Sequence, residues 1–255
     1  MDASTVWLPE HSIRADTRLR LFCFHHAGGA ASMYYRWSKQ VPGSVQLLPV
    51  QLPGREQRFR EPAYDDIKPL VEALGEVLPP YLDMPFVLLG QSMGALIAFE
   101  LARWLRRTVR REPLGLVVAS SAAPQEASHD DPIHPLPRDQ FLVEIQERYG
   151  GVPKAVAQHQ ELMDLLLPTV RADVTVVETY CYRIEPPLAC PILAIGGTED
   201  TVVPSDELRA WKEQTTSDFS LEIIPGDHFV LDSSRQAAVP LIMRWIEALL
   251  DRGDK

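Results

Sequence analysis

The stretch Val87-Leu88-Leu89-Gly90-Gln91-Ser92-Met93-Gly94-Ala95-Leu96 sets one serine between two glycines, with an apolar run before it and a helix-forming run after it. A short apolar run closed by glycine reads as a buried strand, and Gly94 to Arg107 reads as a helix. Strand, sharp turn, serine and helix is the order of a nucleophile elbow. The pentapeptide Gly-x-Ser-x-Gly alone is a weak signal, since ordinary turns are also rich in glycine and serine. Its place between a strand and a helix gives it weight. Small residues at Gly90 and Gly94 let a strained turn pass close to neighbouring backbone. The helix N-terminus then points amide donors and a partial positive charge at an anion forming beside Ser92.

Further short runs rich in leucine, valine and isoleucine, each bounded by glycine or proline, flank this centre. They are Leu19 to Phe24, Val45 to Val50, Phe86 to Leu89, Leu114 to Ala119, Ile192 to Ile195 and Leu221 to Ile224. All read as strands buried on both faces. Helix-like segments alternate with them: Met33 to Gln40, Ile67 to Tyr81, Gly94 to Arg107, Ser205 to Gln214 and Arg235 to Leu250. That alternation implies right-handed crossovers and an α/β fold with a doubly wound, mainly parallel sheet. At 255 residues and 45% hydrophobic, the chain is expected to form a single domain, residues 1 to 255.

One connection breaks the rhythm. The gap from Ala119 to Pro191 exceeds a single helix, and it opens on Pro124-Gln125-Glu126-Ala127-Ser128-His129-Asp130-Asp131-Pro132-Ile133-His134-Pro135. A loop of that length inside a compact domain implies an insertion with structure of its own, spanning about residues 124 to 188. Phe141, Leu142, Ile145 and Tyr149 are spaced for one amphipathic helix, Leu162, Leu165 and Leu166 for a second, and Val170, Val174, Val177 and Cys181 for a third. The insertion reads as a helical lid; a packed helical insertion with no gating role fits the same pattern.

A serine hydroxyl is a poor nucleophile at neutral pH and needs a base, which in turn needs an orienting carboxylate. The run Pro191 to Ile195 ends in Gly196-Gly197-Thr198-Glu199-Asp200, and Leu221 to Ile224 ends in Pro225-Gly226-Asp227-His228-Phe229. Asp200 and His228 therefore fall, like Ser92, just past the carboxyl ends of strands, where open α/β sheets bind ligands. Serine, aspartate, histidine is also the chain order of α/β-hydrolases. Glu199 and Asp227 remain open as alternative carboxylates, although Asp227 would have to fold back on its neighbour's ring. His129 and His134 have no nucleophile near them in sequence and read as surface or structural residues.

A tetrahedral intermediate needs donors placed in advance. The amide of Met93, after the serine, supplies one. The loop His25-His26-Ala27-Gly28-Gly29-Ala30 after the first strand supplies the second, with Ala27 the chosen donor. A phosphate-cradling role for Gly28-Gly29 is weaker, because no Gly-x-Gly-x-x-Gly or Walker pattern appears. His25 and His26 read as residues that shape the loop or ligate a metal, but no carboxylate or cysteine stands at metal-site spacing from them, so neither metal nor cofactor is expected.

The formal net charge of −10 argues against nucleic acid as a partner. No apolar run approaches the roughly 20 residues of a membrane helix, and Met1-Asp2-Ala3-Ser4-Thr5 lacks the basic and apolar regions of a signal peptide. A cytoplasmic protein, without a membrane partner, is the expectation. Cys23, Cys181 and Cys190 are too few and scattered for a disulfide framework and read as reduced, mostly packing residues.

Taken together, Phe24-His25-His26-Ala27-Gly28-Gly29, Leu52-Pro53-Gly54-Arg55, Gly90-Gln91-Ser92-Met93-Gly94, Tyr149-Gly150-Gly151, Leu167-Pro168-Thr169-Val170-Arg171-Ala172-Asp173, Gly196 to Asp200 and Pro225 to Phe229 resemble the type II thioesterases that accompany polyketide synthases and nonribosomal peptide synthetases. The likeness runs over nearly the whole chain. One departure is visible: His25 stands where proline is expected. The resemblance implies an α/β-hydrolase fold with a lid, and an editing enzyme. Such an enzyme hydrolyses acyl or aminoacyl thioesters from the phosphopantetheine arm of acyl or peptidyl carrier proteins.

Two basic segments bear on that partner. Arg103 to Arg111 ends a helix that starts beside Ser92, so its arginines finish at the far edge of the sheet, where they complement the helix dipole as a solvated face. Arg55, Arg58 and Arg60 follow a strand and fall on the same edge as Ser92, where Arg55 and Arg58 are expected to receive the carrier or the arm's phosphate. Two other functions compete. A carboxylesterase or lipase-like enzyme would use the same three side chains on free esters, and a ligand receptor on this fold would hold its ligand without turnover.

Overall fold

The computed structural model describes residues 6–9, 16–126, 131–150 and 160–253. Six strands form one parallel sheet: β1 Leu19–Phe24, β2 Val45–Pro49, β3 Phe86–Gln91, β4 Gly115–Ala119, β5 Ile192–Gly197 and β6 Phe219–Ile224. Their order across the sheet is β2-β1-β3-β4-β5-β6. Every residue of β1, β3 and β4 is buried, which is why these strands read as mainly apolar runs rather than alternating ones, with Arg20 of β1 and Gln91 of β3 the buried polar exceptions.

Alternation of side chains along each strand splits the core into two layers. Leu19, Leu21 and Cys23 of β1 pack on one face with Tyr34 and Trp37 of the 3-10 segment Ala31–Lys39, and with Val239, Ile242 and Ile246 of the C-terminal helix. Phe22 and Phe24 pack on the other, with Leu70 and Leu74 of α1 (Ile67–Val77) and Ala98, Leu101 and Leu105 of α2 (Met93–Thr108). Each fully buried leucine or phenylalanine stabilises the fold by roughly 1.5–3 kcal/mol. Asp66 caps α1 by accepting from the Lys68 N–H at 2.8 Å.

The chain begins at β1, adds β2 on one side, then crosses to β3 on the other. That reversal opens a crevice beyond the carboxyl ends of β1 and β3. Because these strands pair directly, with Phe24 opposite Gly90, the loop leaving β1 lies beside the turn carrying Ser92.

Between β4 and β5 lie α3 (Arg138–Tyr149) and α4 (Gln160–Glu178). The second and third helices expected in the insertion are one: α4 runs through Pro168, and Cys181 lies beyond its end. Proline removes one helical hydrogen bond, but tertiary contacts hold the helix on both sides. Leu167 and Val170 join Phe141, Ile145 and Val174 in a small core between α3 and α4. Thr169 donates to the Gly54 carbonyl at 2.8 Å. Ile133 and His134 are tied down by Glu178, which accepts from their amides at 2.8 and 2.9 Å and bonds the His134 ring at 2.7 Å. His134 is thus structural; His129 lies outside the described residues.

The remaining helices are α5 (Ser205–Arg209), α6 (Val230–Ser233) and α7 (Arg235–Gly253), with a 3-10 segment at Ala210–Gln214. The arginines ending α2 are less solvated than expected. Arg103 is buried, lies over the rings of Phe99 and Tyr182, and bonds Glu100 at 2.6 Å, while Glu185 collects Arg103, Arg106 and Arg107. Cys23 and Cys190 are buried and Cys181 is exposed, all three free. No helix of the described residues is long and apolar enough to cross a membrane.

Candidate active site

Serine is among the best helix N-caps, yet Ser92, at the N-cap of α2, makes no side-chain cap. Its backbone instead takes φ 52°, ψ −118°, a conformation costly for a residue with a Cβ. The Ser92 N–H donates to the Ala119 carbonyl of β4 at 2.9 Å, which helps hold the turn. The flanking glycines are required by close approach: a Cβ on Gly90 would overlap the Gly94 backbone, and one on Gly94 would overlap the carbonyl of Phe24.

The strained turn presents the hydroxyl to an imidazole. His228 Nε2 lies 3.3 Å from Ser92 Oγ, and His228 Nδ1 lies 3.1 Å from each carboxylate oxygen of Asp200. Asp200 Oδ1 also accepts from the amides of Val202 and Val203 at 2.9 and 3.1 Å. Burial pushes the Asp200 carboxyl upward, but the bond from His228 and those two amides outweigh it, so the group sits below its ordinary range and is ionised at neutral pH. A carboxylate there requires the proton of the neutral imidazole on Nδ1, leaving Nε2 as an acceptor facing the hydroxyl. This is the arrangement that lets a histidine draw a proton from an alcohol.

The two alternative carboxylates face elsewhere. Asp227 accepts from the Phe229 amide at 3.0 Å and from Ser233 Oγ at 2.7 Å, and Glu199 is exposed. Ala27 and Ser92 line one cavity of about 290 Å³, with His26, His228 and Phe229 on the sheet side and Ile145, Tyr149, Met163, Leu166, Val170, Val174 and Val177 on the insertion side. No hydrogen bond from the amides of Ala27 and Met93 to a protein acceptor is found among the described residues, and Ala27 lines the cavity. Apart from its two histidines and the serine, the lining is almost wholly apolar, so the cavity favours an acyl chain over a charged group. Among the described residues no group of three or more His, Cys, Asp or Glu side chains is placed to hold a metal ion.

Arg55 and Arg58 do not form a basic surface. Both are buried. Arg55 makes a two-pronged ion pair with Asp173 of α4, Nη1 to Oδ2 and Nη2 to Oδ1 each at 2.8 Å, and also donates to the Gly29 carbonyl at 3.1 Å. Arg58 lies over the Trp7 ring at 4.0 Å and pairs with Glu61 at 2.5 Å. Buried guanidinium groups already paired, Arg55 with buried Asp173 and Arg58 with Glu61, are not presented to a carrier protein; of the three arginines only Arg60 is exposed. The pairing with Asp173 has another effect. Asp173 Oδ2 also accepts from the Gly28 amide at 2.7 Å, so one carboxylate ties α4 to both the loop after β1 and the loop after β2.

Removing one partner of such a pair strands a buried charge. Arg55→Met is expected to cost about 3–5 kcal/mol, read in thermal denaturation as a fall of roughly 6–20 °C. The double substitution Arg55→Met with Asp173→Leu should recover most of it. A shift below about 1 kcal/mol for the single variant would mean that the pair does not brace these loops.

Sequence reasoning gives no role to Asp173 or Gln91, and to His25 none more definite than shaping its loop or ligating a metal. Gln91 is fully buried and donates from Nε2 to the His228 carbonyl at 2.7 Å, holding the backbone of the residue that faces Ser92. The available signal was polarity out of place: Gln91 closes an apolar strand, and Asp173 interrupts the apolar face Val170, Val174 and Val177.

A parallel sheet with flanking helices, a serine on a strained turn after β3 and an imidazole backed by a carboxylate define the α/β-hydrolase class. Within that class the chain belongs to the thioesterase domain family, whose model matches residues 19–250. It is 39% identical to the gramicidin S biosynthesis protein GrsT of Aneurinibacillus migulanus, over 96% of this chain and 95% of that one. Among solved structures it is similar to ClbQ from the colibactin nonribosomal peptide and polyketide pathway (30% identity, TM-score 0.86, 91% of this chain and 98% of that one). It is also similar to the type II thioesterase BorB from the borrelidin biosynthetic cluster (33%, TM-score 0.82, 94% and 95%).

Proposed function

We propose that the protein releases acyl or aminoacyl groups from the phosphopantetheine arm of acyl or peptidyl carrier proteins, an editing role in nonribosomal peptide or polyketide biosynthesis. The observation that supports it most is His228 standing between Ser92 and Asp200 at the floor of an apolar cavity, in a chain whose relatives serve such pathways.

Ser92 Oγ attacks the thioester carbonyl as His228 Nε2 takes its proton, and Asp200 stabilises the imidazolium. The oxyanion accepts from the amides of Ala27 and Met93. The carbon–sulfur bond breaks, His228 returns the proton to the departing thiolate, and the acyl group stays on Ser92. Water then gives its proton to His228 and its oxygen to the acyl carbon, releasing the acid and restoring the serine. The reaction draws on no resident metal or cofactor, since the pantetheine arm arrives with the substrate. The insertion supplies the apolar wall of the acyl cavity, facing Ser92 and His228 on the sheet side.

The test offers the protein a panel of carrier proteins bearing different acyl groups, alongside the matching simple oxoesters, and follows release by intact mass. Carrier thioesters are expected to be cleaved faster than the oxoesters, with no release by Ser92→Ala. Oxoesters turned over as fast as carrier thioesters would make the protein a general esterase instead.

A further inference from the structure

The carbonyl of His26 and the amide of Ala27 are opposite ends of one peptide group. In a planar trans peptide they point in opposite directions, so whatever holds the His26 oxygen also aims the Ala27 N–H. Two donors hold it: the Gly29 amide at 2.9 Å and His25 Nδ1 at 2.8 Å. A carbonyl oxygen only accepts, so His25 carries its proton on Nδ1. The Gly29 bond closes a four-residue turn with Gly28 at φ 75°, the backbone that a type II turn requires of its third residue. The next peptide is pinned at both ends as well, its N–H by Asp173 at 2.7 Å and its carbonyl by His26 Nδ1 at 2.8 Å.

The ring of His25 is fully buried, and its other nitrogen, Nε2, has no hydrogen-bond partner among the described residues. With the proton on Nδ1, that nitrogen is a lone pair buried without a donor, a destabilising arrangement that asks for an explanation. Burial, with Arg55 close by, drives the imidazole well below its ordinary value, so the ring stays neutral. The proline expected here from the family likeness would stiffen the chain but would donate nothing to the His26 oxygen.

We infer that His25 is a positioning residue for the reaction: by donating from Nδ1 to the His26 carbonyl, it fixes the peptide whose N–H, on Ala27, receives the oxyanion. The inference rests on the reading of Ser92 as nucleophile and Ala27 as oxyanion donor. It assigns His25 no contact with substrate. Its effect falls on the transition state and not on ground-state binding, so it shows in kcat and not in KM.

The test compares His25→Phe, which keeps a planar ring without the donor, with His25→Asn, which keeps a donor near the position of Nδ1. Each is measured for kcat and KM on an acyl N-acetylcysteamine thioester, for thermal midpoint, and for labelling at Ser92 by a fluorophosphonate. His25→Phe is expected to lose about ten- to hundredfold in kcat, part of the roughly 10²–10³ that a whole oxyanion donor is worth. Its KM stays within about twofold of wild type and its midpoint does not fall. His25→Asn recovers most of the rate. An unchanged kcat in His25→Phe overturns the inference, and so does an equal loss in both variants that tracks the thermal midpoint. Should His25→Phe fail to fold, His25→Ala serves as the donor-free variant under the same criteria. A wild-type protein that hydrolyses the thioester yet never labels at Ser92 overturns the reading of the nucleophile itself, before any variant is compared.

Discussion

Ser92→Ala is expected to lower kcat on a carrier-bound or N-acetylcysteamine thioester by about 10⁴–10⁶ while leaving KM within a few fold. The asymmetry follows from where the side chain sits. Ser92 Oγ lies 3.3 Å from His228 Nε2 at the floor of a cavity whose walls are supplied by other residues, so its loss removes the bond-forming atom and leaves the acyl subsite intact. The fold should tolerate the change, because the turn is held by the Ser92 N–H bond to Ala119 and by the tight passage of Gly90 against Gly94, neither of which uses the hydroxyl. A variant with unchanged far-ultraviolet circular dichroism and more than about a hundredth of wild-type kcat would show that another group attacks the thioester.

Asp200→Asn should cost less but still about 10³–10⁴ in kcat, with little loss of stability. The two backbone amides of Val202 and Val203 explain why. They donate to Asp200 Oδ1, so an asparagine at this place keeps its oxygen toward them and turns its NH₂ toward His228 Nδ1. An NH₂ facing Nδ1 reverses the imidazole tautomer. Nε2 then carries the proton and cannot take one from Ser92. Steady-state kinetics together with the rate of fluorophosphonate labelling check this: both should fall in parallel. Labelling within about tenfold of wild type would mean that Asp200 does not set the tautomer of His228.

These side chains could be found in sequence because each follows a strand-like apolar run, the weakest being that of β6 before His228, an edge strand that carries Ser220 and Glu222 and is only partly buried. Apolar residues dominate the strands covered on both faces, so Leu19–Phe24 is read at its observed bounds despite Arg20, whose buried head group bonds Gln46 and pairs with Asp83, and the others are read within about two residues. Ser92, Asp200 and His228 then followed from one rule, that α/β sheets gather ligand groups at their carboxyl edge. What the sequence hid depended on partners far away along the chain. The apolar spacing divides α4 into two helices, around Leu162 to Leu166 and Val170 to Cys181; Pro168 opposes helix locally, and only Gly54 and the core around Phe141 show why α4 continues through it. Arg55 read as surface charge because charge is usually solvated. Its carboxylate partner stands 118 residues further on, and nothing near Arg55 announces it. His25 looked like a mere departure from a family pattern, since its role depends on which carbonyl its ring reaches.

The central claim is that the acyl group passes through a covalent bond to Ser92. It is tested most directly by mixing the protein with an acyl-loaded carrier protein, quenching in acid at short times and reading the intact mass and fragment masses of both chains. The account predicts a transient gain equal to one acyl group on Ser92, which decays as free acid appears and is absent from Ser92→Ala. Release of the acid at the wild-type rate with no acylated Ser92 at any quench time, or with the acyl group on a different residue, would contradict it.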